Sequence, residues 1–380
     1  MSQKSTHITD LFGTLPTPSY IIDENVLRRN GEILASVAAH TGCKILLAQK
    51  AFSNYDFYPL LSGYLSGTEA SGLYEARLGA EEMPDKEVHV FCGAYRDDEF
   101  EELLTYADHI VFNSPHQFKK FAQKAKAAGK SIGLRINPEC STQDGHAIYD
   151  PCAPGSRLGT TRAVWNREMT GEWISLLDGL HFHTLCEQDS DDLETTLAAV
   201  ERSFGDILPQ MKWLNMGGGH HITRNDYDIA RLEKCITYAQ DQWNLCVYLE
   251  PGEAVALNAG YLITRVLDIV ENNGTHIAIL DTSAACHMPD VIEMPYMPPL
   301  YGAKAVTDKP ATNADSKHPD FVYRLAGPTC LAGDVIGDYT FAAPLHEGSL
   351  LVFQDMAIYS TCKNNTFNGM PLPDIYKMQT

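Results

Sequence analysis

The sequence predicts a (β/α)8 TIM barrel followed by an antiparallel β domain that also takes the N-terminal strand. Three observations predict it. Between residues 44 and 250, eight short strand-like runs alternate with helical stretches, the arithmetic of a barrel of about 250 residues. Beyond Gly252 the pattern changes to closely spaced strands with little helix. The conspicuous polar residues of the first part sit at the carboxyl ends of its runs, the face on which such barrels carry chemistry. A doubly wound open sheet shares the alternation, and the count of eight favours the barrel.

Residues 17–24 read as one isolated strand, and Val26–His40 as a helix with Val26, Leu27, Ile33, Leu34, Val37 and Ala38 on one face. Lys44–Lys50 opens the series: Ile45, Leu46, Leu47 and Ala48 form a run suited to a parallel strand buried on both faces. Tyr64–Ala70, Val88–Cys92, His109–Asn113, Ser131–Ile136, Gly179–His183, Lys212–Met216 and Cys246–Glu250 complete the eight. Ser71–Glu82, Asp97–Tyr106, Pro115–Ala128, Asp191–Phe204 and Asp226–Trp243 are the helical stretches between them. The Pro- and Gly-rich segment Asn137–Arg162 reads as an active-site loop. Tyr261–Glu271 and His276–Thr282 flank Asn-Asn-Gly, a hairpin signal. Phe321–Leu325, Asp338–Ala342, Ser349–Gln354 and Ala357–Cys362 are further strands, and Asp290–Asp320 reads as exposed loop. The barrel is expected over residues 25–255 and the β domain over 1–24 plus 256–380.

Composition narrows the partners. With 49 acidic residues against 29 basic ones the chain carries a formal charge of -20, which excludes nucleic acid and anionic membrane as expected partners and suits a cationic small molecule. The first residues, Met1–His7, lack an apolar signal core, and no run approaches the roughly 18 apolar residues of a membrane span. The ten cysteines form no Cys-x-x-Cys pair, the pattern of reduced thiols in a cytoplasmic protein.

Lys50 closes its strand. Burial can lower a lysine pKa by roughly 3–5 units, and a neutral amine is a nucleophile toward aldehydes; taken alone, a surface lysine is the better reading, and the residues further on overturn it. Gly217-Gly218-Gly219 follows the seventh run, where backbone N–H groups can crowd an anion and where barrels commonly bind phosphate, although a glycine triplet also suits a tight turn. Glu250 ends the eighth run, aimed at the mouth, where a carboxylate can keep a pyridine nitrogen protonated or serve in a salt bridge. His181-Phe182-His183 ends the sixth run, and with His220-His221 it keeps a metal-dependent hydrolase in play. A metal leaves Lys50 and the glycines without a role. A lysine, a stacking imidazole, a glycine cradle and a carboxylate in this order describe a pyridoxal 5'-phosphate site, with no metal.

With these pieces, Gly327-Pro-Thr-Cys330, Gly333-Asp334 and the Tyr359 segment, nearly the whole chain resembles the alanine-racemase-like, fold type III pyridoxal-phosphate decarboxylases. The resemblance implies a homodimer with shared active sites. It implies that Lys50 carries the cofactor, His183 stacks on the ring and Glu250 meets its nitrogen. Gly217, Gly218, Gly219 and Tyr359 would bind phosphate, and Cys330 of the partner protomer would act as acid. That family usually reads Glu-Pro-Gly-Arg; here Glu253 stands in place of the arginine, and Leu331 follows Cys330 where ornithine decarboxylases have an acid. His183–Glu187, Gly219–Thr223, Glu250–Ala254, His287–Asp290 and Cys330–Asp334 are similar to the branch acting on carboxynorspermidine and carboxyspermidine in polyamine biosynthesis. Such a polycationic substrate needs spaced acids, and Glu253, Asp290 and Asp334 are the candidates. A structural reading is slightly favoured for two of them, Asp290 as a loop aspartate and Asp334 as an interface partner of Arg157. Diaminopimelate decarboxylase, an amino-acid racemase and a silent binding homologue are the rival readings.

Overall fold

The computed structural model describes residues 12–143, 150–307 and 321–379. The N-terminal residues that lack an apolar signal core, part of the expected active-site loop and residues 308–320 of the expected exposed loop fall outside them. The chain divides into two compact units: Arg28–Val255, and the described parts of Met1–Leu27 with Ala256–Thr380.

After β1 (Ser19–Asp23), the first unit carries β2 (Lys44–Ala48), β3 (Gly67–Ala70), β4 (Glu87–Cys92), β5 (His109–Phe112), β6 (Ser131–Asn137), the short β7 (Thr160–Thr161), β8 (Gly179–His181), β9 (Trp213–Asn215) and β10 (Cys246–Leu249). All pair in parallel, and β7 lies outside the ring, against β6. Closure comes from β10 against β2, with Tyr248 opposite Lys44, and from β5 against β6, with His109 opposite Ser131. The eight expected strands thus form a closed barrel. In β2, Ile45, Leu46, Leu47 and Ala48 are all buried, each large one contributing roughly 1.5–3 kcal/mol by leaving water. Local signals fix the helices. Ser114 accepts from the Gln117 N–H ahead of Pro115–Ala127, Asp189 and Asp192 form a capping box for Ser190–Phe204, and left-handed Asn244 ends Ile229–Trp243.

The second unit holds β11 (Gly260–Asn272), β12 (Thr275–Leu280), β13 (Ala303–Ala305), β14 (Phe321–Ala326), β15 (Val335–Phe341), β16 (Leu350–Gln354) and β17 (Asp374–Met378). Its order is β13-β15-β14-β12-β11-β1-β17, with β16 also on β11. The N-terminal strand β1 joins this sheet, as expected. The sheet is mixed: β12–β14 and β1–β17 run parallel, the rest antiparallel. Asn273 and Gly274 both have positive φ (50° and 77°), the conformation of a type I′ hairpin turn. Tyr20, Leu262, Val266, Leu280, Leu325 and Phe353 lie in its core.

Two expectations change here. The run Ala357–Cys362 is not a strand: Tyr359 has φ of 47° and starts a helical turn, Ser360–Lys363. A run that short does not separate strand from helix by periodicity. The described part of Asp290–Asp320 is not bare loop. It contains the helical turn Asp290–Glu293 and β13, and Val291 and Leu300 are buried in the sheet core.

Candidate active site

Strand ends build the site in the barrel unit. Two residues past β2, Lys50 sits on a turn fixed from both sides. The Gln49 N–H donates to the Glu69 carbonyl at 3.1 Å. The Gln49 side chain donates to the Glu75 carbonyl at 2.8 Å and accepts from the Tyr58 hydroxyl at 3.0 Å. Lys50 itself is exposed, and its charge reaches the site, where it acts on Glu69 and His183.

Glu250, just past β10, is 5% exposed. It accepts from His181 Nε2 at 3.0 Å and from the Asn215 amide at 2.5 Å. Burial works to raise its pKa, but the His181 imidazole, by charge and hydrogen bond, and the Asn215 amide outweigh it and leave the carboxyl below its ordinary value. Glu69, buried on β3, behaves oppositely. Burial, reinforced by the charge of Glu250, lifts it well above the carboxylate range against the pull of Lys50 and Arg135. Two neighbouring carboxyls in one low-dielectric site cannot both ionise cheaply, so Glu250 carries the charge and Glu69 the proton. Arg135, buried on β6, donates to the His183 carbonyl at 3.0 Å and lies 4.6 Å from the Phe91 ring centroid.

His183 Nδ1 accepts the Gly218 N–H at 2.9 Å. Burial, then the charges of Lys50 and Arg135, hold its pKa well below the usual imidazole value. The ring is therefore neutral and carries its proton on Nε2. The glycine triplet is built by close approach. A Cβ on Gly218 would lie 2.2 Å from the Glu250 carbonyl oxygen, and Gly217 and Gly219 have φ of 72° and 81°. The expectation that all three amides face an anion needs correcting. The Gly217 N–H donates to the Asn215 side chain at 2.9 Å and the Gly218 N–H to His183, which leaves the Gly219 amide. Glu253 accepts from His221 Nε2 at 2.9 Å, and both are largely buried. Burial works to lower the His221 pKa, but this carboxylate overrides it and raises it.

The imidazoles that suggested a metal are separately engaged: His181 on Glu250, His183 on Gly218, His220 with the Tyr227 hydroxyl at 3.4 Å and His221 on Glu253. Among the described residues, the grouping close enough for an ion lies elsewhere, at Glu87, His89 and His109.

In the sheet unit, Cys330 is exposed, and its N–H donates to Asn368 Oδ1 at 2.8 Å. Asp334 is 2% exposed and accepts from Ser283 Oγ at 2.8 Å and Thr329 Oγ1 at 2.7 Å, with the Ala285 N–H at 3.3 Å. That occupies both oxygens, which favours the structural reading of Asp334, as a brace for the turn that carries Cys330, over that of a substrate acid. Asp290 is ion-paired to Lys363, which also binds Glu293. Glu69, Arg135 and Asn215 were not picked out from sequence. Their signal was the same as that of Glu250, a polar residue at or near the carboxyl end of a barrel strand.

A closed barrel whose strand ends gather a lysine, a neutral imidazole, the Gly219 amide and an ionised buried carboxylate has the donor set that pyridoxal 5'-phosphate requires. The family described as "Pyridoxal-dependent decarboxylase, C-terminal sheet domain" matches residues 19–357, and the chain belongs to it. Within that family it is 43% identical over 362 residues to the carboxynorspermidine/carboxyspermidine decarboxylase of Campylobacter jejuni, covering 95% of this chain and 92% of the relative. It is 40% identical to the carboxyaminopropylagmatine decarboxylase of Synechocystis, covering 95% and 90%. The crystal structure of Campylobacter jejuni carboxynorspermidine decarboxylase complexed with norspermidine superposes with a TM-score of 0.86 at 42% identity, over 96% of this chain and 94% of that one. Helicobacter pylori diaminopimelate decarboxylase, at 18% identity, 98% and 94% coverage and a TM-score of 0.76, shares the fold.

Proposed function

We propose that this protein is a pyridoxal-phosphate carboxy-lyase that converts carboxynorspermidine and carboxyspermidine to norspermidine and spermidine with release of CO2, in polyamine biosynthesis in the cytoplasm. The observation that carries the reading is 43% identity with the Campylobacter enzyme over 95% of the chain, joined to a glutamate at position 253. When bound, the cofactor supplies an electron sink for the pair left behind by CO2.

This chain's residues have assignable tasks. Lys50 would carry the cofactor, and its exposed amine is open to an incoming aldehyde. Neutral His183 would stack on the ring without adding charge. Ionised Glu250 would hold a proton on the ring nitrogen, and protonated Glu69 keeps a second anion away from it. Gly219 and Tyr359 would take the phosphate. Glu253, oriented by His221, would hold a distal ammonium of the substrate as a charge-assisted pair. Asp290, ion-paired to Lys363, is a weaker second contact. Cys330 would deliver the proton to the α-carbon, reaching the site of the partner protomer in a homodimer.

A second reading has one observation behind it, the 40% identity to the Synechocystis enzyme: a carboxylated aminopropylagmatine, with a guanidinium at the far end. A competition assay of CO2 release among both carboxylated triamines, carboxyaminopropylagmatine and diaminopimelate separates them. We expect kcat/KM for a carboxylated triamine to exceed that for diaminopimelate by about 100-fold or more. Preference for diaminopimelate overturns the reading, and preference for the guanidino substrate replaces it with the second.

A further inference from the structure

The amino-terminal mouth of the barrel, opposite the face of Lys50, holds a cluster that the decarboxylase reading does not use. Glu87 opens β4, His109 opens β5, and His89 follows Glu87 by two residues on the same face of β4. The rings of His89 and His109 stack with centroids 3.9 Å apart and an interplanar angle of 10°. His89 Nε2 is 3.0 Å from Glu87 Oε2. One donor atom from each of the three residues falls within 4.8 Å of the others. His89 is 1% exposed, and the Nδ1 atoms of both histidines are buried without a hydrogen-bond partner.

Barrel interiors are usually filled by branched apolar side chains. Two stacked imidazoles against a carboxylate are a poor filler, because buried polar nitrogens need partners. Two imidazoles and one carboxylate are, in contrast, a donor set that zinc takes in tetrahedral sites, with a water in the fourth position. We infer that Glu87, His89 and His109 form a zinc-type divalent metal site at the amino-terminal mouth of the barrel, tying β4 to β5. The resident cation there is Lys44. Its ammonium bonds Glu87, lies 3.3 Å from the Tyr248 hydroxyl and 5.4 Å from the Tyr248 ring centroid. Its side chain is 40% exposed, so it can swing into solvent. Metal entry therefore exchanges one cation on Glu87 for another. This end of a barrel serves stability, not catalysis, and the role of the ion is a structural tie.

The test is a zinc titration of the holoenzyme after chelator treatment and dialysis, read by elemental analysis and by melting temperature. The wild type should retain one zinc per chain more than His109→Leu and Glu87→Gln. Zinc should raise its melting temperature and leave that of the two variants unchanged. Lys44→Met, which removes the competing ammonium and keeps the stem, should tighten zinc binding by about tenfold; it keeps the test decisive if His109→Leu does not fold. Equal zinc in the wild type and these variants overturns the proposal. So does zinc lost on His183→Ala instead, which would place the ion at the opposite mouth, and so does Lys44→Met binding no more tightly than the wild type.

Discussion

At the residue scale, the site rests on how burial and neighbours divide charge. Glu69 and Glu250 are chemically alike, one on β3 and the other just past β10 of the same ring. His181 and Asn215 give Glu250 two hydrogen bonds, and Glu69 has the charge of Glu250 against it. The proton goes where the anion is least supported. Glu253 is held by His221, so Glu253→Gln keeps shape and removes charge. We expect KM for the carboxylated triamine to rise by about tenfold, with cofactor affinity within about twofold of wild type; a fluorescence titration of the cofactor separates the two. His220 gives a pH prediction. Burial depresses its pKa to about 4 from 6.5. A folded value below the unfolded one means that its stabilising effect is complete above pH 6.5 and lost as pH falls toward 4. Linkage sets that loss at roughly 3 kcal/mol at most. His220→Gln should flatten the dependence of the melting temperature on pH across that window.

At the element scale, the loop after β9 is the part least tolerant of change. Three strand-end segments meet around Gly217–Gly219, and a Cβ on Gly218 would overlap the Glu250 carbonyl. Gly218→Ala should cost about 1–3 kcal/mol of stability and weaken cofactor binding by at least tenfold. Gly333→Ala, with nothing within 4 Å of the added carbon, should be near neutral by the same two measurements. The turn that carries Cys330 depends on Asp334. Asp334→Ala leaves the Ser283 and Thr329 hydroxyls without their acceptor, at about 1–3 kcal/mol. If it is a brace, as its burial argues, the melting temperature should fall while the KM of the residual enzyme stays close to wild type. A rise in KM at unchanged stability would return Asp334 to the substrate.

At the scale of the whole molecule, the proposed homodimer has a stringent test. Lys50→Ala and Cys330→Ala should each be nearly inactive. If Cys330 acts on the partner's site, mixing and reassociating the two variants should restore about a quarter of wild-type activity, because half of the dimers are then mixed and each mixed dimer has one intact site. No recovery would place both residues in one protomer. Among the described residues no helix is long and apolar enough to cross a membrane. The charge of -20 favours capture of a polycation through a field that salt screens.

The sequence by itself determined the eight barrel strands, the hairpin at Asn273–Gly274 and the position of Lys50, His183, Gly217–Gly219 and Glu250 at strand ends. Those features are local: a period, a turn dipeptide, a polar residue closing an apolar run. Tertiary structure decided what local pattern cannot carry. Glu69, Arg135 and Asn215 enter the site because closure of the ring gathers residues of β3, β6 and β9 around Glu250 at one mouth. Two glycine amides are already bonded within the protein, Gly217 to the nearby Asn215 and Gly218 to His183 from the end of β8. Asp334 turns inward because Ser283 and Thr329 fold over it. The partners Glu250, His183 and Ser283 are distant in sequence from Glu69, Gly218 and Asp334, and in a buried site the partner sets the charge, the proton and the free hydrogen bond.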